Sequence, residues 1–278
     1  MRNRGIEIGL GITPFKSRSF SWDLNVNFTR NRNEVTELLE GTKEIPVSGF
    51  SNLGGFAIVG QPLGIMQGSF VQRDPKSGEK IVDDLGDYLR SSEIGIIGDP
   101  NPDFKASLRN AVSYKGIGLN FQWDYTQGGD IYSITIGTLL GRGVAQDVAT
   151  LDRTLPIILP GVKKDGTPND IQTDLTNAYF NNYGFGPNEL RVFDATVIRL
   201  REASLSYDIP AKLISKTPFG GISISFSGQN LWYKAPNVPK FTHFDPETSG
   251  LGSGSYRGFE FITGPSSRRY GGSVKISF

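Results

Sequence analysis

Cysteine is missing from the 278 residues, histidine occurs once and methionine twice. Without cysteine the chain can form neither disulfides nor thiolate metal sites. The lone histidine, His243, would have to serve any imidazole-based nucleophilic mechanism by itself, and no nucleophile–base arrangement accompanies it. No apolar run approaches the roughly 20 residues that a membrane-spanning helix needs. That excludes helical spanning and leaves strand spanning open, because a barrel strand turns only alternate residues toward lipid. An excess of one charge is also lacking. The 29 basic and 28 acidic residues leave a formal net charge of +1, so no global field draws the chain to nucleic acid or to an anionic surface.

What the chain has instead is glycine, aromatics and alternation. Glycine supplies 35 of the 278 residues, well above the usual ~7%, and phenylalanine is the commonest aromatic. At the C-terminus Tyr270, Gly272, Val274, Ile276 and Phe278 fall on one side of an extended chain, and Arg269, Gly271, Ser273, Lys275 and Ser277 on the other. Successive side chains of a strand point to opposite faces, so this stretch has one apolar and one polar face. Phe20, Trp22, Leu24, Val26 and Phe28 alternate with Ser21, Asp23, Asn25, Asn27 and Thr29 in the same way, preceded by Ile6, Ile8, Leu10 and Ile12. Ile117 to Tyr125 forms a hairpin of the same kind with Phe104 to Tyr114, which Asn110 interrupts. Helical spacing of three and four is absent from all of these stretches.

Between them the pattern predicts strands over 58–72, weakly over 79–82, over 192–208 with an apolar phase that slips near Ile198–Glu202 as at a bulge, and over 222–232. That makes about nine strands, with short turns at 14–18, 114–117 and 209–220. Long loops are expected at 32–57, 83–103, 128–190 and 233–267, with some helix in 133–155. Short turns at one end and long loops at the other are the asymmetry of an outer-membrane barrel. No apolar leader precedes the first strand. The chain is therefore expected to be the C-terminal piece of something longer.

Four segments carry a resemblance to a known family. Gly98-Asp99-Pro100-Asn101-Pro102-Asp103-Phe104 resembles a Gly-Asp-x-x-Pro-x-Phe lead into a strand. The stretch from Asp194 to Pro210, containing Arg199, Leu200, Arg201, Tyr207 and Pro210, is the most specific. Gly228-Gln229-Asn230-Leu231-Trp232 and Asp245-Pro246-Glu247 follow, and the chain ends in Phe278. These segments are similar to the C-terminal third of SusC/RagA-type TonB-dependent transporters. The resemblance runs from about residue 60 to the end. It implies an all-β fold, an antiparallel up-and-down transmembrane barrel portion of about nine strands out of a larger 22-stranded barrel. The plug domain, the TonB-contacting segment and the first barrel strands are expected to be absent from residues 1–278. It also implies an outer-membrane location among lipid, import of an oligosaccharide or peptide, a SusD-like surface lipoprotein as partner and energy from the TonB complex. No enzyme activity, cofactor or nucleic-acid partner is implied.

Other sites have competing readings. Asp83, Asp84 and Asp87 could approach a cation, but a solvated acidic turn needs no oxygen cage. Asp165 to Asp170 echoes a calcium loop without its spaced carboxylates or terminal glutamate. Trp232, Tyr233, Phe241 and Tyr256 could stack on sugar rings or serve as interfacial girdle and loop packing, the latter being usual in such barrels. A passive porin-like or adhesin barrel and a soluble β-sandwich module remain as alternatives. The sandwich predicts the 20–28 and 121–125 faces packed against each other. The barrel portion predicts one open sheet with free edges at 6–12 and 270–278.

Overall fold

The computed structural model describes residues 1–240, 242–248 and 257–278. The chain starts as a hairpin of β1 (Arg2–Lys16) and β2 (Phe20–Glu34). It then leaves for β3 (Glu44–Phe50), β4 (Leu53–Ile58), β5 (Ile65–Val71) and β6 (Arg90–Gly98). A second hairpin follows, β7 (Phe104–Tyr114) and β8 (Ile117–Gln127). The next excursion holds β9 (Asp130–Ser133), α1 (Ile134–Gly141), α2 (Gln146–Ala149), the two-residue strands β10 (Pro156–Ile157) and β11 (Thr173–Asp174), α3 (Leu175–Tyr179) and β12 (Val192–Asp194). A third hairpin, β13 (Val197–Asp208) and β14 (Gly221–Lys234), is joined through the short helix α4 (Ala211–Ile214). After β15 (Phe259–Glu260) the chain ends on β16 (Arg269–Ser277).

Seven of these strands form a single antiparallel wall in the order β1-β2-β7-β8-β13-β14-β16. Its register sets apolar side chains in rows. One row runs Leu10, Val26, Leu108, Trp123, Leu200 and Trp232 across six neighbouring strands. One residue along, the opposite face carries Gly9, Asn27, Ser107, Asp124, Arg199 and Tyr233. The apolar rows are left uncovered: Leu10 is 52% exposed, Phe226 63% and Val274 63%. Trp22, Phe28, Phe121 and Trp123 are only partly covered, none sealed inside protein. A soluble sheet hides this face in a core, whereas a membrane wall turns it to lipid. The polar exception is Asn110, which lies on the apolar face and accepts a hydrogen bond from the Trp22 indole Nε1 at 3.1 Å. That partner lets the amide sit among apolar side chains without an orphaned acceptor.

Seven of the nine expected strands build this wall, and the sheet is open, with β1 and β16 at its edges. The other two do not join it. Residues 58–72 fall across the end of β4 and into β5, in a separate four-stranded sheet of order β3-β4-β5-β6. Residues 79–82 make only isolated bridges, Arg73 to Lys80 and Val82 to Tyr88 among them. The expected loop at 32–57 contains β3 and β4, and that at 83–103 contains β6. Glycines and turn residues masked their short alternations. The sandwich alternative is overturned, because the 20–28 and 121–125 stretches lie in one sheet with β7 between them.

The long connections all leave the wall at one end and pack into a body with its own dry interior. One cluster joins Leu53 and Met66 of the four-stranded sheet to Tyr132 of β9 and Phe259 of β15. Another gathers Ile136 and Leu140 of α1, Leu175 of α3 and Phe244. A third holds Val71, Val82, Tyr88 and Leu190. Met66, Ile136 and Phe259 are fully buried, in contrast to the wall's apolar face. Glu260 is the polar hub of this body. Its carboxylate accepts from the Ser133 hydroxyl at 2.6 Å, the Thr135 amide at 3.0 Å and hydroxyl at 2.6 Å, and the Thr263 amide at 2.5 Å and hydroxyl at 2.9 Å. Burial alone would push this carboxyl up, but these donors outweigh it and hold its pKa below the ordinary 4.5.

Two outcomes follow from this division. Because the chain has no cysteine of its own, a fluorophore on a single cysteine at position 119 should be quenched by brominated acyl chains, and one at position 120 should not. Equal quenching at both would rule out a lipid-facing apolar row. A carboxyl with a depressed pKa stabilises the fold above about pH 4.5 and loses that contribution as pH falls through its lower folded value. Glu260→Gln should cost about 1–3 kcal/mol near neutral pH and flatten the acid limb of the loop body's unfolding curve.

Candidate functional site

The most specific motif of the sequence lies where two bulges stack on adjacent strands. On β13, Leu200 faces Trp123 and Glu202 faces Gln122, so Arg201 is an extra residue relative to β8. On β14, Trp232 faces Leu200 and Gln229 faces Glu202, so Asn230 and Leu231 stand opposite Arg201. Asn230 takes a left-handed φ of +52°, a conformation that asparagine tolerates better than most residues. Gly228 makes room beside it, since a Cβ there would lie 2.6 Å from the Leu231 side chain. The first bulge explains the slip in the apolar phase. It puts Arg199, Arg201 and Glu202 all on the polar face, while Leu200 stays in the apolar row.

Both arginines hold the segment 242–248. Arg199 is 1% exposed and donates through Nη2 to Asp245, itself buried. Its Nε lies 3.3 Å from Glu247 Oε2, with no hydrogen-bond geometry. The Tyr233 ring lies under the guanidinium at 5.2 Å, and the Tyr233 hydroxyl donates to the His243 carbonyl at 2.5 Å. Arg201 bridges Asp124 at 2.6 Å and both oxygens of Glu247 at 2.9 and 2.8 Å. Between these contacts Phe244 enters the core of the loop body. Seven residues thus join wall to loop body, by ions on one side and an apolar anchor on the other. A buried pair of this kind is costly to break, since removing one partner leaves the other charged and dry.

The second motif meets this clamp from the neighbouring strands. Asp99 accepts the Asn101 amide at 2.9 Å and its side-chain amide at 2.7 Å, closing a tight turn before β7. The Asp99 amide donates to Asp130 at 2.8 Å. Phe104 then sets its ring 5.4 Å from Phe28 and 5.8 Å from Tyr125 on the apolar face. Asp194 opens β13 by the same device, accepting the Thr196 amide at 2.7 Å. Pro102, Lys105, Thr126, Arg201, Pro246 and Glu247 line a cleft of about 600 Å³ on the polar face. Such a cleft can hold a polar ligand by charge-assisted hydrogen bonds.

The remaining expected residues scatter. Trp232 packs edge-on to Trp123 at 5.8 Å on the apolar face. Tyr233 faces the other way and is occupied by Arg199 and the 243 carbonyl. Phe241 and Tyr256 lie outside the described residues. Tyr207 sits in the apolar row between Ile117 and Ile224, Pro210 leads into α4, and Phe278 stacks edge-on to Phe219 at 5.5 Å. Gln229 pairs with Arg269 of β16. Asp83, Asp84 and Asp87 turn to different partners: Asp83 accepts the amides of Leu85 and Asp87, Asp84 meets Lys164 at 3.2 Å, and Asp87 takes the amides of Asn181 and Asn182. Asp165 closes its own turn on Thr167.

Comparison with known proteins fits this geometry. No protein-family model matches the chain. It is 23% identical to TonB-dependent receptor P3 of Formosa agariphila over 253 residues, 83% of the chain and 24% of that protein. With TonB-dependent receptor P26 of the same organism it shares 25% over 274 residues, 91% of the chain and 26% of the relative. In the structure of the RagAB peptide transporter one chain superposes with a TM-score of 0.62 at 21% identity, covering 99% of this chain and 29% of that one. The chain has the fold of a barrel segment of that transporter and resembles TonB-dependent receptors in sequence. The RagAB peptide importer in its open-open state superposes equally well, at 0.62 and 18% identity. The chain spans about a quarter of the length of the curated relatives it matches.

Sequence reading named both halves of the clamp, Arg199 with Arg201 and Asp245 with Glu247, without bringing them together. It missed Glu260, whose donors lie more than a hundred residues away at Ser133 and Thr135. Arg199→Ala or Asp245→Ala should each destabilise the chain by about 3–5 kcal/mol. The double replacement Arg199→Met with Asp245→Leu should cost clearly less than their sum. Urea unfolding of the chain in detergent micelles measures this, and additive losses would show that the pair does not act as a unit.

Proposed function

We propose that this chain is the C-terminal wall segment of an outer-membrane importer. The rest of the receptor would supply the remaining strands, the plug and the contact to the TonB complex. The observation that carries the reading is the division of apolar residues: the wall leaves its apolar face uncovered across seven strands while its long connections build a separate dry core. A protein folded wholly in water has no use for the first. A membrane wall carrying a loop body at one end uses both.

In this reading the clamp of Arg199 and Arg201 on Asp245 and Glu247 keeps the loop body seated over the wall. Ligand passes along the polar face, and no bond is made or broken. Similarity to TonB-dependent receptors and to the fold of a peptide transporter supports uptake of an oligosaccharide or peptide too large for passive pores. A SusD-like surface lipoprotein would capture the ligand, and the TonB complex would drive release into the pore.

Cells making the complete receptor should take up labelled oligosaccharide or peptide only while the inner membrane is energised and TonB is present. Uptake that survives an uncoupler and loss of TonB would favour the passive porin-like barrel instead.

A further inference from the structure

Three guanidinium groups meet in the loop body at a place that the clamp and the wall do not use. Arg90, Arg142 and Arg191 line a cleft of about 320 Å³ whose lining includes no aspartate or glutamate. Among the described residues none of the three forms an ion pair with a carboxylate. Two of them are tied to backbone instead. Arg90 reaches the carbonyls of Phe185 and Gly186, the latter at 2.6 Å. Arg191 donates to the Tyr183 carbonyl at 2.7 Å, the Gly184 carbonyl, and the Tyr132 hydroxyl at 3.2 Å. These bonds fix the 183–186 turn and use up its carbonyl acceptors. Among the described residues Arg142 makes no such bond. Its guanidinium stands 5.5 Å from the centroid of Phe180, and among the described residues its N–H donors have no acceptor, which leaves them for a ligand. Phe180 and Phe185 have ring centroids 4.9 Å apart, and Phe185 is 62% exposed.

Arginine does not shed its charge at any accessible pH. Three such groups around one cleft repel one another unless an anion joins them. The cleft presents guanidinium donors and no carboxylate, so it suits a ligand rich in oxygen acceptors. The exposed ring beside it offers an apolar face for the body of that ligand. We infer that this cleft is a binding subsite for an oxyanion, a carboxylate or sulfate carried by the incoming ligand, with Arg142 as its mobile contact and Arg90 and Arg191 as its fixed ones. The inference deepens the uptake reading by naming the chemistry of the ligand, and it rests on that reading for the ligand's route. The binding itself can be measured without transport.

The test is calorimetric titration of the full chain in detergent micelles with four probes: sodium sulfate, a trisaccharide of uronic acids, a neutral trisaccharide of the same length, and a di-glutamate peptide. At least one anionic probe should bind, more weakly as salt is raised, and the neutral sugar should not. Arg142→Ala should weaken anion binding about tenfold or more while the melting temperature changes little, because the contact this side chain makes among the described residues is with the Phe180 ring. Arg142→Lys should retain part of the affinity, and Phe185→Ala should weaken the larger probes but not sulfate. Preference for the uronate or for the peptide identifies which ligand carries the oxyanion, and either result sustains the site. Absence of binding by every anionic probe to the folded chain overturns it, as does binding that is indifferent to Arg142→Ala. Anion binding that persists in a receptor unable to import would sink the uptake reading and leave the site intact.

Discussion

An arginine buried to 1% exposure is costly without a partner for its charge, and in this chain the carboxylate comes from the segment 242–248, which the wall also holds through Arg201 and Tyr233. That need ties the two parts of the molecule together. The wall supplies Arg199 and Arg201 from the inward side of a bulge, and the loop segment supplies Asp245 and Glu247 from either side of Pro246. Phe244 adds an apolar anchor in the neighbouring core. Since a desolvated pair gains little over a well-packed apolar substitute, its physical contribution lies in specificity of placement. A seating of the loop body that drew Asp245 away from Arg199 would leave a buried charge unpaired.

The wall itself follows from simpler rules. Alternation decides which face each residue takes, and antiparallel register then lines up like with like across neighbours. Glycine and serine thin the polar face near the free edge, as at Gly271 and Ser273 facing Ser227 and Ser225. The rows from Leu10 to Trp232 and from Gly9 to Tyr233 need nothing beyond period two and correct pairing.

Most of the wall could therefore be read from the chain alone. Leu24 and Val26 or Leu119 and Phe121 announce their strands because nothing interrupts the alternation. The slipped phase at Ile198–Glu202 likewise revealed a bulge, since a shift of one residue is visible in the pattern itself. The loop body was much less legible. β3 and β4 are short, broken by Pro46, Gly49 and Gly54, and stabilised by partners such as Met66 and Phe259 that lie far along the chain. Glu260 and the cleft of Arg90, Arg142 and Arg191 depend wholly on such long-range meetings. Composition and spacing carry no trace of them. The clamp falls between these cases: its residues stood out as motifs, but their pairing across 46 positions is a product of folding.

The stacked bulges at Arg201 and Asn230 limit how this part of the chain can change. Each adds one residue to its own strand, so each shifts everything downstream by one place relative to its neighbour. Deleting Arg201 alone would leave Leu200 and Glu202 opposite Trp123 and Gln122, but on β14 both Asn230 and Leu231 would then lie between Gln229 and Trp232 with no residue facing them. Length changes here should survive only as matched pairs on both strands. Over evolutionary time the two motifs would then drift as one unit, accepting swaps of side chain far more readily than gains or losses of a residue.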